Sequence, residues 1–82
     1  GIQKIDIKVV KKAVEELEAA MSLEPSHTAH YPALAKAYLA VKRKDKAAEV
    51  LKACLELKDG DDPAQHELEV EECRRLTAKH KL

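Results

Sequence analysis

The chain has 82 residues, of which 15 are basic and 15 acidic, so its formal net charge is zero. That length predicts one small domain, residues 1–82, with a thin core, and the charge balance disfavours general binding to polyanions. No apolar run approaches the roughly 20 residues of a membrane-spanning helix, and no signal-peptide pattern is present. We therefore expect no membrane partner and an intracellular, cytoplasmic location.

Apolar residues recur at intervals of three and four along the whole chain, which predicts an all-α fold. The chain has no Phe or Trp and only two Tyr, so aliphatic side chains and Ala must fill the core. The predicted helices cover residues 6–24, 28–42, 45–58 and 62–79.

Local signals mark where the helices begin and end. Asp6 is suited to cap helix 1, and Pro25 ends it. Gly60 is expected to end helix 3 in the left-handed conformation. Pro63 stands in the first turn of helix 4, a favoured position for proline.

Helix 4 has few apolar residues: Leu68, Val70, Cys73 and Leu76. Acidic residues fill its first half and basic residues its second, an order that suits the helix dipole. This composition is typical of a capping helix at the end of a helical array, because no further helix packs on its outer side.

One block of the chain occurs twice, 34 residues apart, at 13–25 and 47–59. The identical pairs are Ala13/Ala47, Glu15/Glu49, Leu17/Leu51, Ala19/Ala53 and Leu23/Leu57. Between Tyr31 and Leu57 the chain also alternates large and small residues, in the order Tyr31, Leu34, Ala35, Tyr38, Ala47, Leu51 and Cys54. These features resemble the tetratricopeptide repeat, whose period is 34 residues.

The resemblance covers about residues 10–76, as half a repeat, one full repeat and a solvating helix. It implies an antiparallel helix-turn-helix superhelix, with Leu68 packing as Leu34 does one period earlier. Two positions depart from the family pattern. Lys42 replaces the glycine usual in the turn between paired helices, and Asp59 replaces the proline that closes a repeat.

No arrangement of residues predicts catalysis, and we expect neither enzyme activity nor a cofactor. His27 and His30 could share a metal ion, but a firm site needs three or four ligands, so we favour surface histidines. Cys54 and Cys73 fall at helical positions that suit small apolar residues. We expect buried free thiols in a reducing compartment, with a disulfide as the alternative.

The resemblance implies a non-catalytic protein-interaction module, a scaffold or adaptor. A protein or peptide, preferably acidic, would dock on the concave face of helices 2 and 4. The expected contact residues are Ala29, Pro32, Ala33, Lys36, Leu39, Ala40, Arg43, His66, Val70 and Cys73. Two alternatives remain open: nucleic-acid contact through the basic turn Lys42–Lys46, and self-association of a solenoid fragment or engineered repeat unit.

Overall fold

The computed structural model describes residues 7–58 and 60–82, which form four α-helices and contain no β-strand. The helices are α1 (Ile7–Leu23), α2 (His30–Ala40), α3 (Lys44–Glu56) and α4 (Pro63–His80). The all-α prediction is confirmed, with element bounds within a few residues of those expected. The predicted cap Asp6 and the position of Asp59 lie outside the described residues. No helix of the described part is long and apolar enough to cross a membrane.

The helix ends follow from the local sequence. The Asp62 carboxylate accepts hydrogen bonds from the backbone N–H groups of Ala64 and Gln65, at 3.1 and 3.3 Å, and so caps α4. Lys42 has a φ of 61° in the short turn between α2 and α3. It thus takes the left-handed conformation at the position where the repeat family has glycine.

Helix α2 is the centre of the fold, since it packs against α1, α3 and α4. The core consists of buried side chains from α2, α3 and α4, and α1 has no fully buried residue. The buried apolar residues are Tyr31, Leu34, Ala35, Tyr38, Ala47, Val50, Leu51, Cys54, Cys73 and Leu76. Helix α1 adds half-buried Val14, Leu17 and Met21.

A disulfide joins Cys54 of α3 to Cys73 of α4, with the two Cα atoms 6.5 Å apart. Neither residue is exposed to solvent. The expectation of free thiols is therefore wrong. Each helix has a small residue at the same point of the α3–α4 contact, so the two sulfur atoms can bond. The disulfide also removes the argument for a reducing compartment, which rested on free thiols.

Helix α4 does not continue the register of the repeat. Leu68 is 66% exposed, whereas Leu34, its expected counterpart, is 2% exposed. The repeat register would also bury Glu69 and Glu72 at the positions equivalent to Ala35 and Tyr38, and burying carboxylates is costly. The helix instead turns Cys73 and Leu76 inward. The expected packing of Leu68 is wrong for this reason.

Candidate interaction surfaces

Helix α2 keeps one face open to solvent although three helices surround it. Ala29, Ala33, Lys36 and Ala40 recur at intervals of four, three and four and lie on this face, which we call the alanine stripe. Ala33 and Lys36 are exposed, and Ala29 and Ala40 are half-buried. At 1.5 Å per residue the stripe is about 16 Å long. Its short side chains leave room for the backbone of a partner to approach α2.

Lys36 connects the alanine stripe to α4. Its Nζ lies 3.0 Å from Oε1 of Glu72, and the same oxygen is 2.6 Å from Nη2 of Arg75. Hydrogen bonds from Arg75 and Lys36 lower the pKa of Glu72 to about 2. Glu72 therefore stays ionised near neutral pH, and its single negative charge is shared between Lys36 and Arg75, so the charge of Lys36 is offset only in part.

The second basic residue expected to attract acidic groups is also paired. Nε of Arg43 lies 3.6 Å from Oδ1 of Asp45, with both side chains exposed. Exposed ion pairs of this kind are weak, so Asp45 can exchange for another carboxylate. Arg74 is similarly paired with Glu71 on α4. The surface thus has a smaller positive bias than the sequence suggested.

Several residues of the expected concave face are not available to a partner. Pro32 and Cys73 are buried, so their assignment as contact residues is wrong. Leu39 and Val70 are half-buried and pack against the core. His66 is half-buried with its Nδ1 2.7 Å from the Thr28 hydroxyl. Because α4 is rotated relative to the repeat register, its expected contact residues face the interior instead.

Gly60 has a different role from the one expected. It does not adopt the left-handed conformation, because no described glycine has a positive φ. A Cβ atom at Gly60 would instead collide with the Thr28 hydroxyl and the His66 ring. Glycine at this position therefore allows the α3–α4 connection to pass close to the start of α2.

A second depression lies between α1 and α3, over the aromatic face of α2, and we call it the tyrosine pocket. Its volume is about 310 Å³. The lining residues are Glu18, Met21, Ser22, Pro25, Tyr31, Leu34, Tyr38 and Val50. This pocket was not predicted. The spacing of Tyr31 and Tyr38, two turns apart, places both tyrosines on one face of α2, and that pattern alone indicates only a core position.

Both tyrosine hydroxyls of this pocket donate to acceptors in the connection or on α1. The Tyr31 hydroxyl donates to the backbone oxygen of Pro25 at 2.7 Å, and the Tyr38 hydroxyl donates to Oε2 of Glu18 at 2.7 Å. Burial, and then the hydrogen bond to Glu18, raise the pKa of Tyr38 to about 12. The Tyr38 proton is therefore retained throughout the neutral range.

The two histidines at the start of α2 lie close together, with ring centroids 4.5 Å apart. Nε2 of His30 is buried and makes no hydrogen bond among the described residues, and the Glu24 carboxylate oxygen Oε1 lies 3.5 Å from it. His30 is thus more enclosed than the surface position expected for it. Within 7–58 and 60–82 there is no group of three or more side chains able to hold a metal ion.

Comparisons with protein-family models, with curated proteins and with solved structures find no match for this chain. The tetratricopeptide resemblance therefore rests on the residues quoted from the sequence.

Proposed function

We propose that this domain is a non-catalytic, tetratricopeptide-like protein-interaction module. It docks a peptide or a helix of a partner on the alanine stripe and the adjoining edge of α4. The observation that carries this proposal is the open face of α2. A helix held by three neighbours still presents small side chains to solvent over about 16 Å.

Pre-organisation supports this use of α2. The helix contributes five of the buried side chains of the fold, and its two tyrosine hydroxyls are tied to Pro25 and Glu18. A partner that docks on it does not have to order the binding surface, so less of the interaction free energy is lost. Small side chains on a fixed helix also favour close packing of a partner helix or strand.

The domain should prefer acidic ligands only modestly. A carboxylate near Lys36 competes with Glu72, and one near Arg43 competes with Asp45. Because of this competition, each acidic group of the ligand contributes only about 0.2–1 kcal/mol to the free energy of binding. Shape complementarity to Ala33 and Ala40 therefore contributes more to affinity than charge, and charge acts mainly on the association rate.

A peptide selection tests the proposal directly. Random 12-residue peptides are selected against the purified domain, and the affinities of the selected peptides are then measured by calorimetry. We expect the selected peptides to share side chains that pack against Ala33 and Ala40, with a modest enrichment of Asp and Glu. Ala33→Gln, which places a longer neutral side chain in the centre of the stripe, should weaken their binding at least tenfold.

The matched control is Ala19→Gln, the same change at an exposed position of α1. It should leave affinity unchanged within about twofold. The double variant Lys36→Glu/Arg43→Glu should slow association with little effect on dissociation. Selected peptides whose affinity is the same for Ala33→Gln and for the unchanged domain would contradict docking on the alanine stripe.

Self-association as a solenoid unit is the second candidate. Leu55 on α3 and Leu68 on α4 are 39% and 66% exposed, and Ile7, Val9 and Leu23 are exposed on α1. Apolar residues at both ends of a short helical array favour contact between copies. Sedimentation equilibrium over a hundredfold concentration range measures this, with Leu68→Gln as the variant expected to restore the monomer.

Contact with nucleic acid through Lys42–Lys46 has weaker support. The basic side chains of this turn are exposed, but Arg43 is paired with Asp45, and both tyrosines are buried and so cannot stack on bases. Binding to a labelled single-stranded oligonucleotide that weakens steeply with salt would favour this alternative.

A further inference from the structure

The tyrosine pocket is built from α1, α2, α3 and the connection that follows α1, and it shares no residue with the alanine stripe. Its volume of about 310 Å³ lies at the lower end of the range for ligand sites, which suits one long side chain. Its apolar lining includes Met21, Leu34 and Val50. The pocket is thus an open depression with an apolar floor and polar groups at defined points.

The polar groups of the pocket can accept hydrogen bonds but have few protons to donate. The phenolic protons of Tyr31 and Tyr38 are already donated to Pro25 and Glu18. Each phenolic oxygen keeps lone pairs, the Pro25 carbonyl oxygen has a second lone pair, and the Glu18 carboxylate has unused acceptor positions. Only the Ser22 hydroxyl can still donate. A ligand that donates several hydrogen bonds is therefore favoured.

Charge adds to this selectivity. Glu18 is the one acidic residue that lines the pocket, and no Lys or Arg lines it. Lys11 and Arg43 line a neighbouring depression together with Glu15, and Arg43 is paired with Asp45. At Tyr38 the positive charge of Arg43 and the negative charge of Glu49 act in opposite directions, and Arg43 has the larger effect. The preference for a cation therefore rests on the Glu18 carboxylate and on the absence of a basic side chain from the pocket lining.

We propose that the tyrosine pocket binds a lysine or arginine side chain presented by a partner protein. The aliphatic part of that side chain packs against half-buried Met21, above the buried side chains of Leu34 and Val50. Its cationic end donates to the Glu18 carboxylate and the tyrosine oxygens. This site is independent of the alanine stripe, and the two surfaces select ligands of opposite charge.

The chain carries its own probes for this pocket. Its two tyrosines both line the pocket, and with no Trp they are the source of intrinsic fluorescence. Its single methionine, Met21, also lines the pocket, so a methyl-labelled sample gives one methionine signal. Both signals therefore report on occupancy without any added label.

The experiment titrates the domain with a capped five-residue alanine peptide that has lysine at its centre. The comparison peptide has norleucine there, which keeps the aliphatic stem and lacks the charge. We expect the lysine peptide to shift the Met21 methyl resonance and change the tyrosine fluorescence, with a millimolar dissociation constant. The norleucine peptide should bind at least tenfold more weakly.

Glu18→Gln tests the assigned anchor. Its amide oxygen still accepts from Tyr38, so the fold is retained, but the negative charge is lost. We expect at least tenfold weaker binding of the lysine peptide. Glu16→Gln, which removes the same charge from an exposed position outside the pocket, should change binding less than twofold.

Three results would overturn the assignment: no change at 100 mM peptide, equal binding of the norleucine peptide, or equal weakening by the two glutamine variants. Ala33→Gln should leave binding of the lysine peptide unchanged. This variant therefore distinguishes a wrong assignment of the tyrosine pocket from a wrong assignment of the alanine stripe.

Discussion

The two copies of the repeated block provide a comparison within one chain. Leu51 and Ala47 in the second copy are fully buried, whereas Leu17 and Ala13 in the first copy are half-buried. Five of the 13 aligned residues are identical, including both of these pairs, but the neighbouring helices differ. Helix α3 is covered by α2 and α4, and α1 is covered by α2 alone.

This difference shows that the repeated sequence specifies a helix and its apolar face. How deeply the side chains of that face are buried depends on which helices pack against it. It also explains why the tyrosine pocket lies beside α1. A helix with one neighbour leaves a gap on its other side, and the gap exposes part of the aromatic face of α2. The equivalent side of α3 is closed by α4 and the disulfide.

The largest expected effect comes from truncating the equivalent leucines. Leu51→Ala should lower the free energy of unfolding by about 3–4 kcal/mol, because a cavity remains in a fully buried site. Leu17→Ala should cost less than about 2 kcal/mol, because its site is partly open and can relax. Urea unfolding of the two variants measures the difference, and equal losses would contradict the comparison.

Opening the disulfide should have the next largest effect. Cys54 and Cys73 are 19 residues apart, and closing a loop of this size contributes about 3 kcal/mol. We expect dithiothreitol to lower the free energy of unfolding by that amount. The double variant Cys54→Ala/Cys73→Ala should be destabilised similarly and be insensitive to the reductant. If the unchanged protein unfolds at the same urea concentration with and without reductant, the disulfide adds no stability.

Enlarging the equivalent alanines should have an intermediate effect. Ala47→Leu should cost about 1–3 kcal/mol by overpacking against α2, because Ala47 is fully buried. Ala13→Leu should cost less than about 1 kcal/mol, since its side chain can extend toward solvent. Thermal melts of both variants distinguish the two sites, and tolerance of Leu at 47 would show that α2 and α3 can separate.

The ion pairs that attach α4 should have the smallest effect and a defined pH dependence. The pKa of Glu72 is lowered from about 4.5 to about 2 in the folded state. Its stabilisation is therefore fully present above about pH 4.5 and is lost as the pH falls through about 2. Glu72→Gln should cost about 0.2–1 kcal/mol at pH 6 and clearly less at pH 2.

Urea unfolding at several pH values between 2 and 6 tests this expectation. Glu67→Gln, a charge-matched change at an exposed position of α4, serves as the control. If the two variants have the same pH dependence, the pairing of Glu72 with Lys36 and Arg75 does not stabilise the folded state.

The helices, most of their ends and their apolar faces can be predicted from the sequence alone. These depend on residues three or four positions apart, as in the Asp62 cap and the stripe from Tyr31 to Tyr38. The repeat also predicted that Ala47 and Cys54 face the interior, because small residues are needed where helices approach closely.

How the apolar faces of the helices pack against one another is seen only in the tertiary structure. Three features depend on how one helix is rotated against another. They are the pairing of Cys54 with Cys73, the exposure of Leu68 on α4, and the contact of Lys36 with Glu72. Such rotations depend on a few contacts between distant residues. Local periodicity carries no information on them, since every rotation of α4 leaves its own helical pattern unchanged.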